Sequence, residues 1–161
     1  LHVKPQILGG SQERNMRAGT ENLMGIVGMG KAFELALENF NSDSSVITDL
    51  KEYAIAELQE AFSDIVFLGQ SGNIDKSLFT VLNIGFPQDG ATGMLTFSLD
   101  MKGIAASGGS ACNSGSNQVS HVIAALGEKY ASVVPLRISF SKFNTKQEVD
   151  ALIKALKEIR A

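Results

Sequence analysis

The apolar positions of the chain follow two rhythms, one with the period of a helix and one that alternates like a strand. Leu23, Ile26, Val27, Phe33, Leu37 and Phe40 recur at helical spacing and predict a helix that starts after Thr20. The Thr20 hydroxyl is a natural cap for it, and Glu21 suits its first turn. The polar run NFNSDSS predicts the end of that helix. A second helix is expected from Val46 to Phe62, with Ile47, Leu50, Ala54, Leu58 and Ala61 as its apolar stripe.

Strand signals come next. DIVFLG reads as a short strand closed by GQSGN, and LFTVLNIGF (Leu78 to Phe86) as a longer one stopped by Pro87. GATGMLTFSLDMKG predicts a helix ended by Gly103 in a left-handed cap. IAAS would be a short strand leading into a polar loop, after which Ser120 can cap a short helix, HVIAALG. VVPLRISFS predicts another strand. Thr145 and Glu148 form a capping box, and Val149, Leu152, Ile153, Leu156 and Ile159 give the last helix a clean apolar face. Helices and strands alternate irregularly, which predicts a small layered α/β or α+β domain.

Composition narrows the function classes. The chain has 161 residues, 44% of them apolar, and a net charge of −3. That suffices for a core, and no basic run marks nucleic acid or an anionic membrane as a partner. No apolar stretch approaches the roughly 20 residues of a membrane span. One cysteine and two histidines cannot assemble a zinc pattern. GIVGMGKA nearly matches a phosphate-binding loop, but Ala32 stands where Ser or Thr would hold magnesium, and the glycines fall inside a helical period. A lone cysteine makes no internal disulfide, which points to a reducing, cytoplasmic setting.

That cysteine, Cys112, sits in ASGGSACNSGSNQVSH among serines, glycines and alanines. A buried inert thiol fits such surroundings poorly; an inconsequential surface thiol and a reactive one carried on a loop remain open. A loop of this composition gives the sulfur reach, as a shuttle would need. Arg137 lies at the centre of PLRISF. Such an arginine ordinarily faces solvent, and the functional alternative is a two-pronged clamp on a carboxylate.

GGSQERNMRAGTEN, then SGGSACNSGS followed by SHVIAALG, then LRISFSKFNTKQEVDALI, occur in that order. Together they closely resemble the C-terminal part of the cysteine desulfurases of the nitrogenase-type and housekeeping iron–sulfur class, which are pyridoxal-phosphate (PLP) enzymes of fold type I in the class-V aminotransferase superfamily. The resemblance implies the C-terminal small domain of such an enzyme with a long crossover helix. Residues 1–19 would be the crossover segment from a large PLP domain, and 20–161 the small domain with a mobile cysteine loop at 106–119. It implies that Cys112 takes sulfur from L-cysteine as a persulfide and leaves alanine, that Arg137 grips the substrate carboxylate, and that Thr20 reaches a PLP phosphate across a homodimer. Arg14 and Arg17 lie in the same motif without an assigned role. It further implies a sulfur-acceptor protein, either an iron–sulfur scaffold or a thiolation relay.

The sequence departs from the family pattern at Ser11 and Asn15, where Gly is usual, at Ala18 and Gly108, where Ser is usual, and at Ser141-Lys142, where Gly-Arg is common. Backbone geometry is at stake at Ser11, Asn15 and Ser141 if those positions need positive φ. The family's cofactor lysine follows a histidine, and this chain has no His-Lys dipeptide. The isolated chain is therefore expected to be inactive alone; it is expected to fold, because its strands and helices carry their own apolar faces, and to expose apolar surface where the large domain would pack, on the helix from Leu23 to Phe40. The other readings are a related PLP lyase acting on selenocysteine and a non-catalytic dimerisation or binding module.

Overall fold

A computed structural model describes residues 4–108, 121–127, 130 and 132–161. Its framework is an antiparallel sheet of β1 (Val66–Phe67), β2 (Val81–Pro87) and β3 (Val133–Ser139), in the order β1-β2-β3. The helices are α1 (Leu23–Ala61), α2 (Leu95–Asp100), α3 (His121–Ala125) and α4 (Lys146–Arg160), with short 3-10 turns at Gln12–Asn15, Ile74–Lys76 and Thr92–Met94. This is the mixed helix-and-sheet domain that the alternating sequence signals predict.

The alternation of β2 explains its two faces. Leu82, Ile84 and Phe86 point inward with Leu136, Ile138 and Phe140, and all are buried. Ile47, Leu50, Ala54 and Leu58 of α1 cover them together with Val149, Leu152, Ile153 and Leu156 of α4. The opposite face carries a smaller cluster, in which Leu68, Ile123 and Tyr130 pack with Val66 and Val133. Gly85 is what lets that cluster close. A Cβ there would stand 2.9 Å from Val133 Cγ2 and 3.3 Å from Leu68 Cδ2.

Several expectations are corrected. NFNSDSS does not end a helix: α1 runs unbroken through it. The polar side chains in that run bond to carbonyls of the helix itself, Asn39 Nδ2 to Leu35 at 2.8 Å and Ser44 Oγ to Asn41 at 3.2 Å, so they do not compete with it. Thr20 does not cap α1. The cap is Asn22, whose Oδ1 accepts from the Gly25 amide at 3.0 Å. IAAS forms no strand. The amides of Gly103 and Ile104 turn back to the carbonyls of Asp100 and Leu99 and finish α2, with Gly103 at φ +77, so that only Ser107 reaches the edge of β3. Ser120 lies outside the described residues.

The α4 capping box is present in both directions. Thr145 Oγ1 accepts from the Glu148 amide at 3.3 Å, and Glu148 Oε2 from the Thr145 amide at 2.7 Å. At the other end Arg160 forks onto Asp64 and lies 4.4 Å from the Phe86 ring centre.

The chain divides into two units, Leu1–Phe40 and Asn41–Ala161. In the first, Glu13, Arg14 and Asn15 adopt positive φ in a tight turn, and Asn tolerates that region better than most residues. Ser11, at φ −84, needs no glycine. Leu23, Ile26, Val27, Phe33, Leu37 and Phe40 are all exposed, as expected for that helix.

Candidate active site

Arg137 sits midway along β3 with its main chain fixed from the outer side. Its amide donates to the Ser107 carbonyl at 2.6 Å, and the Ser107 amide donates to its carbonyl at 3.2 Å. The register places Asn83 opposite it on β2. Asn83 in turn is held from the β1 side, its carbonyl accepting from the Leu68 amide at 3.0 Å and its amide donating to the Ser71 hydroxyl. A single row therefore runs across the sheet from Leu68 through Asn83 and Arg137 to Ser107. Residues opposite one another in antiparallel strands project from the same face. Because Leu68 belongs to the smaller apolar cluster, this row lies on the face away from the main core.

The Arg137 side chain is half-buried and forms no ion pair or hydrogen bond among the described residues. A guanidinium in that condition, beside an apolar cluster, is ready for a planar anion. Cys112 lies outside the described residues, five positions beyond Ser107 in the sequence. Sequence reading singled out Arg137 and not Asn83, which the register sets opposite it; an asparagine in the middle of an otherwise apolar strand was the available signal.

Thr20 stands in the first unit, exposed, after Gly19 at φ +103. The Gly19 amide is taken by Gln12 Oε1 at 3.2 Å, and the Ala18 amide by the Ile7 carbonyl at 3.1 Å, so the segment before Thr20 is fixed. Its own hydroxyl has no hydrogen-bond partner among the described residues, which leaves it available to a phosphate oxygen. Arg17 Nη1 donates to the Ala18 carbonyl at 3.2 Å.

The one fully buried lysine among the described residues is Lys51. Its ammonium donates to Ser77 Oγ at 2.7 Å and to the Leu78 carbonyl at 2.9 Å, and burial pulls its pKa below the ordinary lysine value. Enclosed in that way, it cannot reach a cofactor from solvent. An open groove of about 660 Å³ between residues 102–106, the end of β3 and α4 contains neither Arg137 nor Thr20. Among the described residues no cluster of His, Cys, Asp and Glu could hold a metal, and no helix is long and apolar enough to cross a membrane.

The family model for class-V aminotransferases matches residues 6–152. The chain belongs to the class-V aminotransferase family. Among its curated relatives, the cysteine desulfurase IscS of Dictyoglomus turgidum is 35% identical over 158 residues, covering 98% of this chain and 39% of that protein. A cysteine desulfurase of Nostoc is 38% identical over 160 residues, covering 99% and 39%. A NifS-like protein from Rickettsia africae superposes with a TM-score of 0.78 at 29% identity, over 99% of this chain and 41% of that one. A second NifS-like protein gives 0.76 at 30% identity, over 97% and 38%. This class-V aminotransferase chain thus spans about two-fifths of the length of the relatives it matches.

Proposed function

We propose that the chain is the C-terminal part of a PLP-dependent cysteine desulfurase. Residues 1–19 are its crossover segment and 20–161 its small domain. The observation that carries this reading is Arg137: a half-buried guanidinium without a protein partner among the described residues, on a residue whose main chain is tied to Ser107, five positions before Cys112 in the sequence. The family membership and the cysteine desulfurase relatives support the substrate, L-cysteine.

In this reading Arg137 binds the substrate carboxylate in two-pronged fashion and sets the amino acid in one orientation. PLP, when bound, draws electron density from the substrate and labilises its C–S bond. Thr20 donates its hydroxyl to the PLP phosphate of the partner subunit in a homodimer. The Cys112 thiolate attacks the substrate sulfur. An S–S bond forms as the C–S bond breaks, the electron pair stays on carbon, and protonation there gives alanine. Sulfur remains on Cys112 as a persulfide for transfer to an acceptor protein. The cofactor lysine belongs to a large domain outside this sequence, so the chain alone does not turn over cysteine.

The test is Arg137→Lys in the complete enzyme. Lysine keeps the charge and loses the fork, so kcat/KM for L-cysteine falls by a factor of roughly 30 or more. Unchanged kinetics would return Arg137 to an ordinary solvent-facing strand position and remove the observation on which the reading stands.

A further inference from the structure

We infer that Asn83 is a second carboxylate-recognition residue, acting beside Arg137 on the small amino acid bound there. The inference rests on the reading of Arg137 given above.

The geometry begins with the sheet register. The Phe140 amide donates to the Thr80 carbonyl at 2.8 Å, which makes that facing couple a hydrogen-bonded one. Counting along the register, Val81 with Ser139 is not hydrogen-bonded, Leu82 with Ile138 is, and Asn83 with Arg137 is not. The neighbouring strands agree, since Asn83 and Arg137 both direct their main-chain groups away from each other, to Leu68 and Ser71 on one side and to Ser107 on the other. Facing residues in a couple without mutual hydrogen bonds have the closer side chains, with Cβ atoms about 4.5–5.5 Å apart.

Chemistry follows from that proximity. Both side chains are half-buried, and neither has a hydrogen-bond partner among the described residues. An amide donor next to a guanidinium adds a third contact for a carboxylate without adding a counter-charge. An aspartate in the same place would occupy Arg137 itself. The neutrality of residue 83 is therefore what keeps Arg137 open. The position is also firmly built. Asn83 hangs from the Ser71 hydroxyl, and Ser71 belongs to the turn that buried Lys51 fastens through Ser77, whose hydroxyl donates to the Asn73 carbonyl at 2.6 Å.

The experiment compares Asn83→Ala, Asn83→Asp and Arg137→Lys in the complete enzyme, reading KM and kcat for L-cysteine, inhibition by L-alanine, and the melting temperature. L-Alanine carries the same carboxylate without the thiol. Asn83→Ala should raise KM and the alanine inhibition constant by the same factor, roughly tenfold, with kcat within about twofold. Asn83→Asp should raise both by roughly a hundredfold, because it supplies Arg137 with an internal partner. If Asn83→Asp does not fold, Asn83→Leu, of similar volume, takes its place and should match Asn83→Ala. Asn83 variants with wild-type KM and alanine inhibition, alongside an impaired Arg137→Lys, would overturn the role of Asn83 and leave that of Arg137. A fall in kcat and melting temperature without any change in KM would make Asn83 merely structural and overturn the inference as well. Wild-type behaviour of Arg137→Lys would overturn the carboxylate site altogether.

Discussion

Ser107 and Arg137 exchange both of their main-chain hydrogen bonds, at 3.2 and 2.6 Å. The rung joins two features that are separate in the sequence, the polar segment bearing the only cysteine and the arginine of the third strand. Beyond it, residues 103 and 104 are already committed to closing α2, and the amide of Ser141 is taken by Asn144 Oδ1 at 2.8 Å. Among the described residues, the Ser107 rung is the one attachment on the outer edge of β3.

Gly85 tests the face on which this site lies. Its Cβ would meet Val133 and Leu68 inside ordinary contact distance, and those two residues belong to the cluster beside the Asn83–Arg137 row. Gly85→Ala should cost about 1–3 kcal/mol in urea unfolding, the usual range for overpacking a filled site. An unchanged midpoint would mean that the cluster is loosely packed.

The Arg160 fork on Asp64 fastens the end of α4 to the residues after α1. It also lies against Phe86 at 4.4 Å and Phe62 at 5.4 Å. Arg160→Ala should lose about 2 kcal/mol, from a charged hydrogen-bonded pair and a cation–aromatic contact together. Arg160→Lys should recover part of it, because the charge remains while the fork does not. Equal stability of all three proteins in thermal melting would contradict this.

The helix–helix tie between Tyr53 and Asp150 sets an alkaline limit. The Tyr53 hydroxyl donates to Asp150 Oδ1 at 2.7 Å. That hydrogen bond first, then burial and the charges of Asp150 and Glu57, push the phenol from its ordinary 10.0 up to about 12. The folded state therefore holds its proton more tightly than the unfolded state. This contribution is fully present below pH 10 and is lost as pH rises through about 12. Lys51 works in the opposite direction: burial lowers its pKa, so its contribution improves as pH climbs toward 10.5. Tyr53→Phe should remove the decline between pH 10 and 12 and leave the Lys51 rise. Parallel stability–pH curves for the wild type and Tyr53→Phe would contradict the assignment.

Much of the scaffold was legible from local rules. β2 and β3 announced themselves by alternation, and α4 by Thr145, Glu148 and its apolar period. The misreadings have a common cause, a short-range signal outweighed by a partner that sequence does not display. Asn39 and Ser44 resemble helix breakers until their side chains are seen bonding back to the helix. Thr20 and Asn22 are both good caps, and only the bond to Gly25 distinguishes them. Lys51 falls next to Leu50 on the apolar stripe of α1, where a charge is unexpected; Ser77 and Leu78, 26 and 27 residues away, account for it. Arg137 and Cys112 were visible through their motifs. The role proposed for Asn83 was not, because it depends on strand register, a long-range property.

The most direct measurement concerns Cys112. The complete enzyme is incubated with L-cysteine, alkylated, digested and examined by mass spectrometry, with Cys112→Ser as the comparison. The proposed function requires the peptide containing Cys112 to gain the mass of one sulfur atom, to lose it on treatment with a thiol reductant, and to do so as alanine appears in equal amount. Cys112→Ser should still bind the cofactor and L-cysteine but form no persulfide, since a hydroxyl cannot replace the polarisable thiolate. Normal sulfur release by Cys112→Ser, or alanine formed with no sulfur on Cys112, would contradict the account.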